Sequence, residues 1–382
     1  MSGARPFDGM ALKSTPQQAA IPPVLPVIGE AEIEAVVRVL RTGRVVQGPE
    51  VDAFEREFAQ QVLGDRECVA VNSGTSALLL TLLALRIGRG DEVIVPSFSF
   101  AATANVVRLA GAKPVFADIE PETFCLDARA AAAAITPRTA AIMPVHLYGH
   151  PAAMDQIMPL AQRHGLAVVE DACQAHGAAL DGQPAGSFGI AGCFSFYPTK
   201  NMHALEGGMV VTADSELAHC VRLLRNQGMQ QPYANEIVGA NMRMTDVSAA
   251  VGRVQLARLP EWTEQRRTNA SFLDSRIKGV VTPPVRETVH HVYHQYTIRI
   301  EEGRDNARQV LASLGIGSAV YYPTPIHRLK PYLAPAGQPA PWHLPETDRA
   351  AAEVLSLPIY PSLTVADLER VASAVNSLGT LR

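Results

Sequence analysis

Short β-rich runs alternate with helical runs from residue 30 onward, and this alternation limits the possible folds more than any other feature of the chain. The run "CVAVN" (68–72) has the composition of a buried strand, and "GTSALLLTLLAL" (74–85), two residues later, has that of a buried helix. Such alternation is typical of a mainly parallel central sheet flanked by helices. The sequence therefore predicts an α/β fold. Further strands are expected at 91–96, 113–118, 140–149, 166–170, 192–197 and 208–213, and a helix closed by Gly165 at 154–165.

The pattern changes near residue 245, where long helices and then a mixed stretch follow. We predict a flexible N-terminal tail at 1–27, a large domain at 28–255 and a smaller α+β C-terminal domain at 256–382. The expected elements of the last part are helices at 246–259, 260–277, 307–315 and 365–375, strands at 291–300 and 318–323, and a Pro/Gly-rich loop at 333–345.

Composition narrows the class of protein. The 382 residues are 47% hydrophobic, which is too apolar for a disordered chain. The formal net charge is −4 and no basic stripe is present, so the sequence argues against nucleic-acid binding and favours a small-molecule partner.

Five cysteines without metal-ligand spacing indicate reduced thiols and no metal site. No apolar run is long enough to cross a membrane or act as a signal segment, so we expect a cytoplasmic protein.

Ligands of open α/β sheets bind at the carboxyl ends of the strands, so the strand-to-helix junctions are the places to search. At the first junction, "VNSGTSALLL", a strand turns into a helix through Asn72, Ser73, Gly74 and Thr75. Free N–H groups, two hydroxyls and a glycine that permits close approach would suit a phosphate. A Ser/Thr helix cap without a ligand is the alternative interpretation.

Two further junctions carry ionisable side chains. The strand in "LAVVEDACQAHG" ends with Asp171. Its carboxylate could pair with a protonated ring nitrogen or a metal, or it could simply cap a helix. The neighbouring Gln174 and His176 match no metal-ligand spacing. In "CFSFYPTKNMHALEGG", Lys200 follows an apolar strand that also contains Ser195. A desolvated lysine can act as a nucleophile toward a carbonyl, and the alternative is a surface lysine.

Together the three junctions suggest one ligand that contains a phosphate, a cationic aromatic nitrogen and an aldehyde. Pyridoxal 5′-phosphate has all three groups. In this interpretation the aldehyde bonds to Lys200, the ring nitrogen faces Asp171, and the phosphate occupies the cup at residues 73–75.

Several motifs also occur in the order found in one known family. The chain resembles the DegT/StrS family of sugar aminotransferases, which depend on pyridoxal 5′-phosphate, from about Ile28 to its closing motif. The resemblance implies a fold-type I transferase and a homodimer whose active sites are shared between subunits. The motifs are "VNSGTSAL", "GDEVIVPSFSFAATANVV", "PVHLYGHPAAM", "EDACQAHGA", "FSFYPTKN", "EGGMVVT", "NMRMTDVSAAVG" and "LSLPIYPSLTVADLERV".

The resemblance also assigns roles to individual residues. It implies that Lys200 bonds covalently to the cofactor, that Asp171 faces the pyridine nitrogen, and that Gln174 lies near the phenolic oxygen. An aromatic ring, Phe100 or else the nearby Phe98, would stack on the cofactor. The phosphate would contact Ser73, Gly74, Thr75 and Ser195, together with Asn241 of the neighbouring subunit.

The implied activity is a ping-pong transfer of an amino group from glutamate or glutamine to a keto sugar, usually nucleotide-linked. Three alternatives remain: an aminotransferase of a cyclitol or other substrate without a nucleotide, a dehydratase, which the presence of Lys200 disfavours, and a non-catalytic regulator.

The chain departs from the family pattern beside the lysine. Residues 202–205, "MHAL", replace a Thr-Thr-Gly-like stretch, so His203 either contacts substrate or serves packing. Two further loops resemble family loops near the active site, one containing Arg44 and Gln47 and the other Tyr322 and His327. We expect these four side chains to contact substrate, and roles in packing or at an interface are equal alternatives.

Overall fold

A seven-stranded sheet lies at the centre of the structure, a computed structural model that describes residues 19–64, 66–333 and 342–381. Its order is β1-β9-β8-β5-β4-β2-β3, and all neighbouring pairs from β8 to β3 are parallel, whereas β9 runs antiparallel to both of its neighbours. The strands in the chain are β1 Glu67–Val71, β2 Glu92–Pro96, β3 Lys113–Ala117, β4 Thr139–Ile142, β5 Ala167–Asp171, β6 Ala179–Leu180, β7 Gln183–Pro184, β8 Ala191–Ser195, β9 Gly208–Thr212, β10 Met229–Gln231, β11 Ala234–Asn235, β12 Val289–His290, β13 Tyr296–Arg299 and β14 Val354–Leu357.

Helices cover both faces of this sheet, which confirms the α/β class. The helix expected after the first strand is so apolar because most of its surface is buried against β8, β9 and a neighbouring helix, with Leu78, Leu80 and Leu82 at most 1% exposed. The helices are α1 Glu30–Thr42, α2 Pro49–Phe58, α3 Gly74–Ala84, α4 Ala102–Leu109, α5 Ala128–Ala133, α6 Met154–His164, α7 Ser215–Arg225, α8 Asp246–Arg276, α9 Arg304–Ser313, α10 Pro345–Glu353 and α11 Val365–Ser377.

Most sequence-predicted boundaries of the large domain lie within a few residues of those observed. Gly165 ends α6 in the left-handed conformation at φ 64°, as the sequence predicted. The strand expected at 140–149 was too long, because β4 ends at Ile142 and the chain then forms a loop with a short 3₁₀ turn. Within the described residues, no helix combines the length and the apolar character needed to cross a bilayer.

The two helices expected on either side of Pro260 are one helix, α8. Leu256 and Leu259 pack into the core beneath the sheet, and Ala270 and Leu273 pack into a separate core with β13, β14 and α11. Burial on both sides of the proline outweighs its cost of about 3 kcal/mol in a helix interior. The expected domain boundary between residues 255 and 256 therefore falls inside a continuous helix.

The strand expected at 318–323 is also absent from the described residues, since only Ala319 pairs there, with Ser356. The strand predicted at 291–300 is shorter than expected, and β13 pairs antiparallel with β14. Part of the predicted loop at 333–345 lies outside the described residues.

Residues 19–27, the described part of the expected flexible tail, instead lie against the folded chain. Ile21 is 3% exposed, its N–H donates to Gly315 O across 2.9 Å, and its carbonyl accepts from Gly317 N. Val27 O accepts a hydrogen bond from Gln255 Nε2 across 2.9 Å. An apolar side chain and paired backbone groups therefore attach this segment to the folded chain.

Candidate active site

A cavity of about 400 Å³ opens where the parallel strands end. Strands β1, β5 and β8 run in the same direction, so the residues after their carboxyl ends meet at one edge of the sheet. Nine sequence-predicted residues line this cavity. Those from the phosphate cup are Ser73, Gly74, Thr75 and Ser195, and the others are Phe100, Asp171, Gln174, Lys200 and Tyr322.

The first turn of α3 lies at the edge of the cavity, where the sequence predicts an anion cup. Ser73 caps the helix, and its Oγ accepts a hydrogen bond from Ser76 N across 3.1 Å. A Cβ on Gly74 would lie 2.7 Å from the Cβ of Ser195 and 2.9 Å from Cys173 Sγ, so only glycine fits. Backbone N–H groups at a helix start, beside the Ser195 hydroxyl, fit a phosphate.

Asp171 lies at the end of β5 and is 5% exposed. Its Oδ2 accepts a hydrogen bond from Thr103 Oγ1 across 2.8 Å, and its Oδ1 accepts from Cys173 N across 3.3 Å. Ser99 Oγ lies 3.0 Å from Thr103 Oγ1 and extends this network. A carboxylate held in this way at a cavity wall is ready to pair with a cationic N–H.

Lys200 reaches the cavity from the loop after β8. Its backbone N–H donates to Tyr197 O across 2.9 Å, which fixes the turn. Burial lowers the pKa of the Lys200 amine, although Cys173 and Asp171 act in the opposite direction. A lowered pKa favours the neutral amine, which is the form that can attack an aldehyde.

Gln174 joins the sheet to the C-terminal part of the chain. Its Oε1 accepts from Tyr148 N across 2.9 Å, and its Nε2 donates to Tyr322 Oη across 3.1 Å. Burial raises the pKa of Tyr322, so its hydroxyl stays protonated and can donate in turn. A ligand between β5 and this tyrosine would meet hydrogen-bonding groups from both segments.

Phe100 is 59% exposed and lies on the cavity wall, whereas Phe98 is 1% exposed and packs into the core. The ring centroid of Phe100 lies 6.1 Å from that of Tyr322. The side chain available to stack on a ligand in this chain is therefore Phe100.

Five other predicted residues lie outside the cavity wall of this chain. His203 is 2% exposed, and its Nε2 lies 3.1 Å from Val27 O, so the geometry favours its packing interpretation. His327 is buried, with its Nδ1 2.7 Å from Ser97 Oγ. The remaining three, which are exposed or partly exposed at the surface, are Arg44, Gln47 and Asn241.

Four further residues of the cavity were not singled out from the sequence: Tyr148, His294, Gln295 and Tyr321. Tyr148 stands in the motif "PVHLYGHPAAM" and Tyr321 directly precedes Tyr322, but the sequence indicated no role for either side chain. Gln295 N donates to Tyr148 O across 3.1 Å, which links two segments that are far apart in the chain. Tertiary contacts of this kind show that these side chains reach the cavity.

An anion cup, a buried carboxylate and a nucleophilic lysine around one cavity, at the edge of a mainly parallel sheet, define an enzyme that uses pyridoxal 5′-phosphate. The model of the DegT/DnrJ/EryC1/StrS aminotransferase family matches residues 26–376. The chain belongs to this family, and it is an aminotransferase that depends on pyridoxal 5′-phosphate.

Relatives of known activity extend over most of the chain. It is 42% identical to UDP-N-acetyl-3-dehydro-alpha-D-glucosamine 3-aminotransferase of Acidithiobacillus ferrooxidans, over 90% of this chain and 92% of the relative. It is 44% identical to dTDP-3-amino-3,4,6-trideoxy-alpha-D-glucose transaminase of Streptomyces venezuelae, over 89% and 90%. The solved structure of S. venezuelae DesV matches with a TM-score of 0.86 at 43% identity, over 91% of this chain and 94% of that one. These matches agree with the predicted fold-type I architecture.

Proposed function

We propose that this protein transfers an amino group from glutamate to carbon 3 of a nucleotide-linked 3-keto sugar. The observation that carries the proposal is the cavity in which Lys200, Asp171 and the phosphate cup converge. The two relatives above support the sugar, since one is named for a 3-dehydro sugar on UDP and the other for a 3-amino sugar on dTDP.

The side chains of the cavity fit the parts of the cofactor. The cup at Ser73, Gly74, Thr75 and Ser195 would hold the phosphate, and Asp171 would hold a proton on the pyridine nitrogen. Gln174 would face the phenolic oxygen, and Phe100 would cover one face of the ring. When bound, the cofactor supplies an electron-withdrawing ring that stabilises negative charge on the substrate carbon.

Lys200 has two tasks in this scheme. Its amine would hold the aldehyde of the cofactor, because burial favours the neutral nucleophilic form. When the amino donor takes its place, the freed Lys200 Nζ would act as the base that removes a proton from the substrate carbon and then as the acid that returns it. Hydrolysis would release the donor as a keto acid, and the keto sugar would take up the amino group in the reverse direction with loss of water.

A second copy of the chain completes the proposed site. Asn241 lies outside the cavity of its own chain and is exposed, as expected if its amide reaches the neighbouring subunit. Exposed apolar side chains nearby, Tyr233 at 95% and Val238 at 94%, could be covered by such a partner. Light scattering should give twice the mass of one chain, and Asn241→Ala should weaken cofactor binding. A monomer that binds the cofactor fully would contradict this part of the proposal.

A cytoplasmic location completes the proposal. All five cysteines are free, as in a reducing compartment. Cell fractionation should recover the protein with cytoplasmic markers, and recovery with periplasmic or membrane markers would contradict this location.

A panel of sugars tests the substrate. The protein is first converted to its amine-loaded form with glutamate, freed of excess donor, and then mixed with UDP- and dTDP-linked 3-keto or 4-keto hexoses. Return of the original absorbance of the cofactor should follow only with the 3-keto sugars. A response to 4-keto sugars alone would overturn the assignment of carbon 3, and failure of glutamate where glutamine succeeds would overturn the donor.

A further inference from the structure

His294 lies on the cavity wall and has no role in the site described so far. Its side chain is 6% exposed, and it lines the same cavity as Lys200. Its position is fixed by the backbone: Val292 N donates to Gly149 O across 3.1 Å, and a Cβ on Gly149 would lie 2.9 Å from His294 N. The backbone at the histidine is therefore packed closely against the turn at Gly149.

The neighbouring asparagine decides which ring nitrogen carries the proton. Asn201 Nδ2 donates to Val292 O across 2.9 Å, so the amide oxygen of Asn201 is the atom that faces His294. This oxygen lies 3.3 Å from His294 Nδ1. Because an amide oxygen can only accept, Nδ1 must carry the hydrogen.

The ring is also kept uncharged. Burial lowers the pKa of His294 well below its usual value, and the nearby Lys200, Arg266 and His176 lower it further. A neutral imidazole with its hydrogen on Nδ1 has a free electron pair on Nε2. Among the described residues Nε2 has no hydrogen-bond partner, so it can accept a hydrogen bond from a molecule in the cavity.

This acceptor lies near the reacting amine, because the charge of Lys200 acts on the His294 ring and both side chains line the same cavity. We propose that His294 Nε2 accepts a hydrogen bond from the amino group that is transferred at Lys200, and that Asn201 positions the ring for this contact. The inference rests on the proposed transfer of an amino group. Because the same nitrogen enters with the donor and leaves with the sugar, the contact serves both half-reactions.

Two substitutions separate contact with the substrate from a structural role. His294→Asn keeps an N–H near the place of Nδ1 and so keeps the bond to Asn201, but it removes the acceptor from the cavity. His294→Gln places an amide near Nε2 and loses the bond to Asn201. We expect His294→Asn to lower kcat/KM by about 10- to 100-fold in both half-reactions and His294→Gln to lower it by less than about 10-fold. The reverse order would show that the ring serves structure alone, and a loss confined to the sugar half-reaction would show that it contacts the sugar instead.

A second measurement does not depend on turnover. In protein labelled with ¹⁵N-histidine and freed of cofactor, with His294→Gln used for assignment, Nε2 should resonate as an unprotonated nitrogen and Nδ1 as a protonated one. A proton on Nε2 would overturn the inference. If glutamate fails to react with the parent protein, the proposed donor is wrong; the two variants are then compared with glutamine, and the resonances still decide the inference.

Discussion

Thr103 donates a hydrogen bond to Asp171 Oδ2 across 2.8 Å, although the two residues lie 68 positions apart in the chain. Both side chains are buried, and Thr103 belongs to α4, which follows β2 rather than β5. Two strand-to-helix units whose strands are separated by β4 in the sheet therefore share the orientation of one carboxylate. Asp171 keeps its position even before any cation meets it.

Asp171→Asn should remove most of the activity while leaving the shape of the site. The amide keeps the size of the side chain and one of its two acceptor atoms but lacks the charge that favours a protonated pyridine nitrogen, so kcat should fall about 100-fold or more. Steady-state rates with glutamate as donor measure the loss. As a control, Thr103→Val removes only the supporting hydrogen bond and should cost about 10-fold or less. An Asp171→Asn variant as fast as the parent would show that the ring nitrogen does not depend on this charge.

Lys200→Ala should abolish covalent attachment of the cofactor. The parent protein loaded with cofactor and treated with borohydride should gain the mass of one reduced cofactor per chain, because the amine at this position attacks the aldehyde. Mass spectrometry of the variant after the same treatment should show the mass of the bare chain. A stable adduct on the variant would mean that another lysine carries the cofactor.

Gly74→Ala should weaken cofactor binding by about 10-fold or more, because the new Cβ would crowd the anion cup at the start of α3. Titration of the cofactor-free protein gives the dissociation constant. Gly165→Ala is a matched control, since its Cβ would meet no atom within 4 Å while its φ is +64°. It should lower the free energy of unfolding by about 1 kcal/mol without changing cofactor affinity. If Gly74→Ala and the parent protein bind the cofactor with equal affinity, the proposed anion cup at the start of α3 is wrong.

His176 should make the protein less stable in mild acid. Its ring is packed between Phe194 and Phe196, and burial, with Lys200 nearby, lowers its pKa to about 3. The unfolded chain binds a proton below its ordinary pKa of 6.5 while the folded chain does not, so stability falls as the pH drops from 6.5 toward 3. His176→Leu should lower the slope of the unfolding free energy by about 1.4 kcal/mol per pH unit in this range.

Urea denaturation of cofactor-free protein at pH 7 and pH 5 tests this expectation. His219→Leu, an exposed substitution on α7, is the control and should keep the slope of the parent. An unchanged slope in His176→Leu would show that this ring takes up its proton equally in both states.

Much of the fold and half of the site could be predicted from the sequence, because each strand-to-helix unit has a recognisable local sequence pattern. Asp171, Gln174 and Lys200 stand directly after apolar strands, and parallel strands bring such residues to one edge. The same reasoning from local sequence failed at Pro260. The helix continues across this proline because its two ends pack into two separate cores. No short stretch of sequence contains that information.

Other residues of the cavity could not be predicted from the sequence for the same reason. Tyr148, His294 and Tyr321 line the cavity because distant segments contact each other, as in the bond from Gln295 N to Tyr148 O. His203 illustrates the opposite case. It lies three residues from Lys200 in the sequence, yet its side chain points away from the cavity and contacts Val27. Proximity along the chain did not decide proximity in the site.

The N-terminal segment at residues 19–27 also bears on how the chain is made. Val27 O pairs with Gln255, 228 residues later, and Ala19 O pairs with Arg370, 351 residues later. A ribosome delivers residues 19–27 long before either partner exists, and contacts so far apart in sequence form slowly. Folding during synthesis can thus assemble the central sheet early, but this segment cannot make all of its contacts until α11 has left the ribosome.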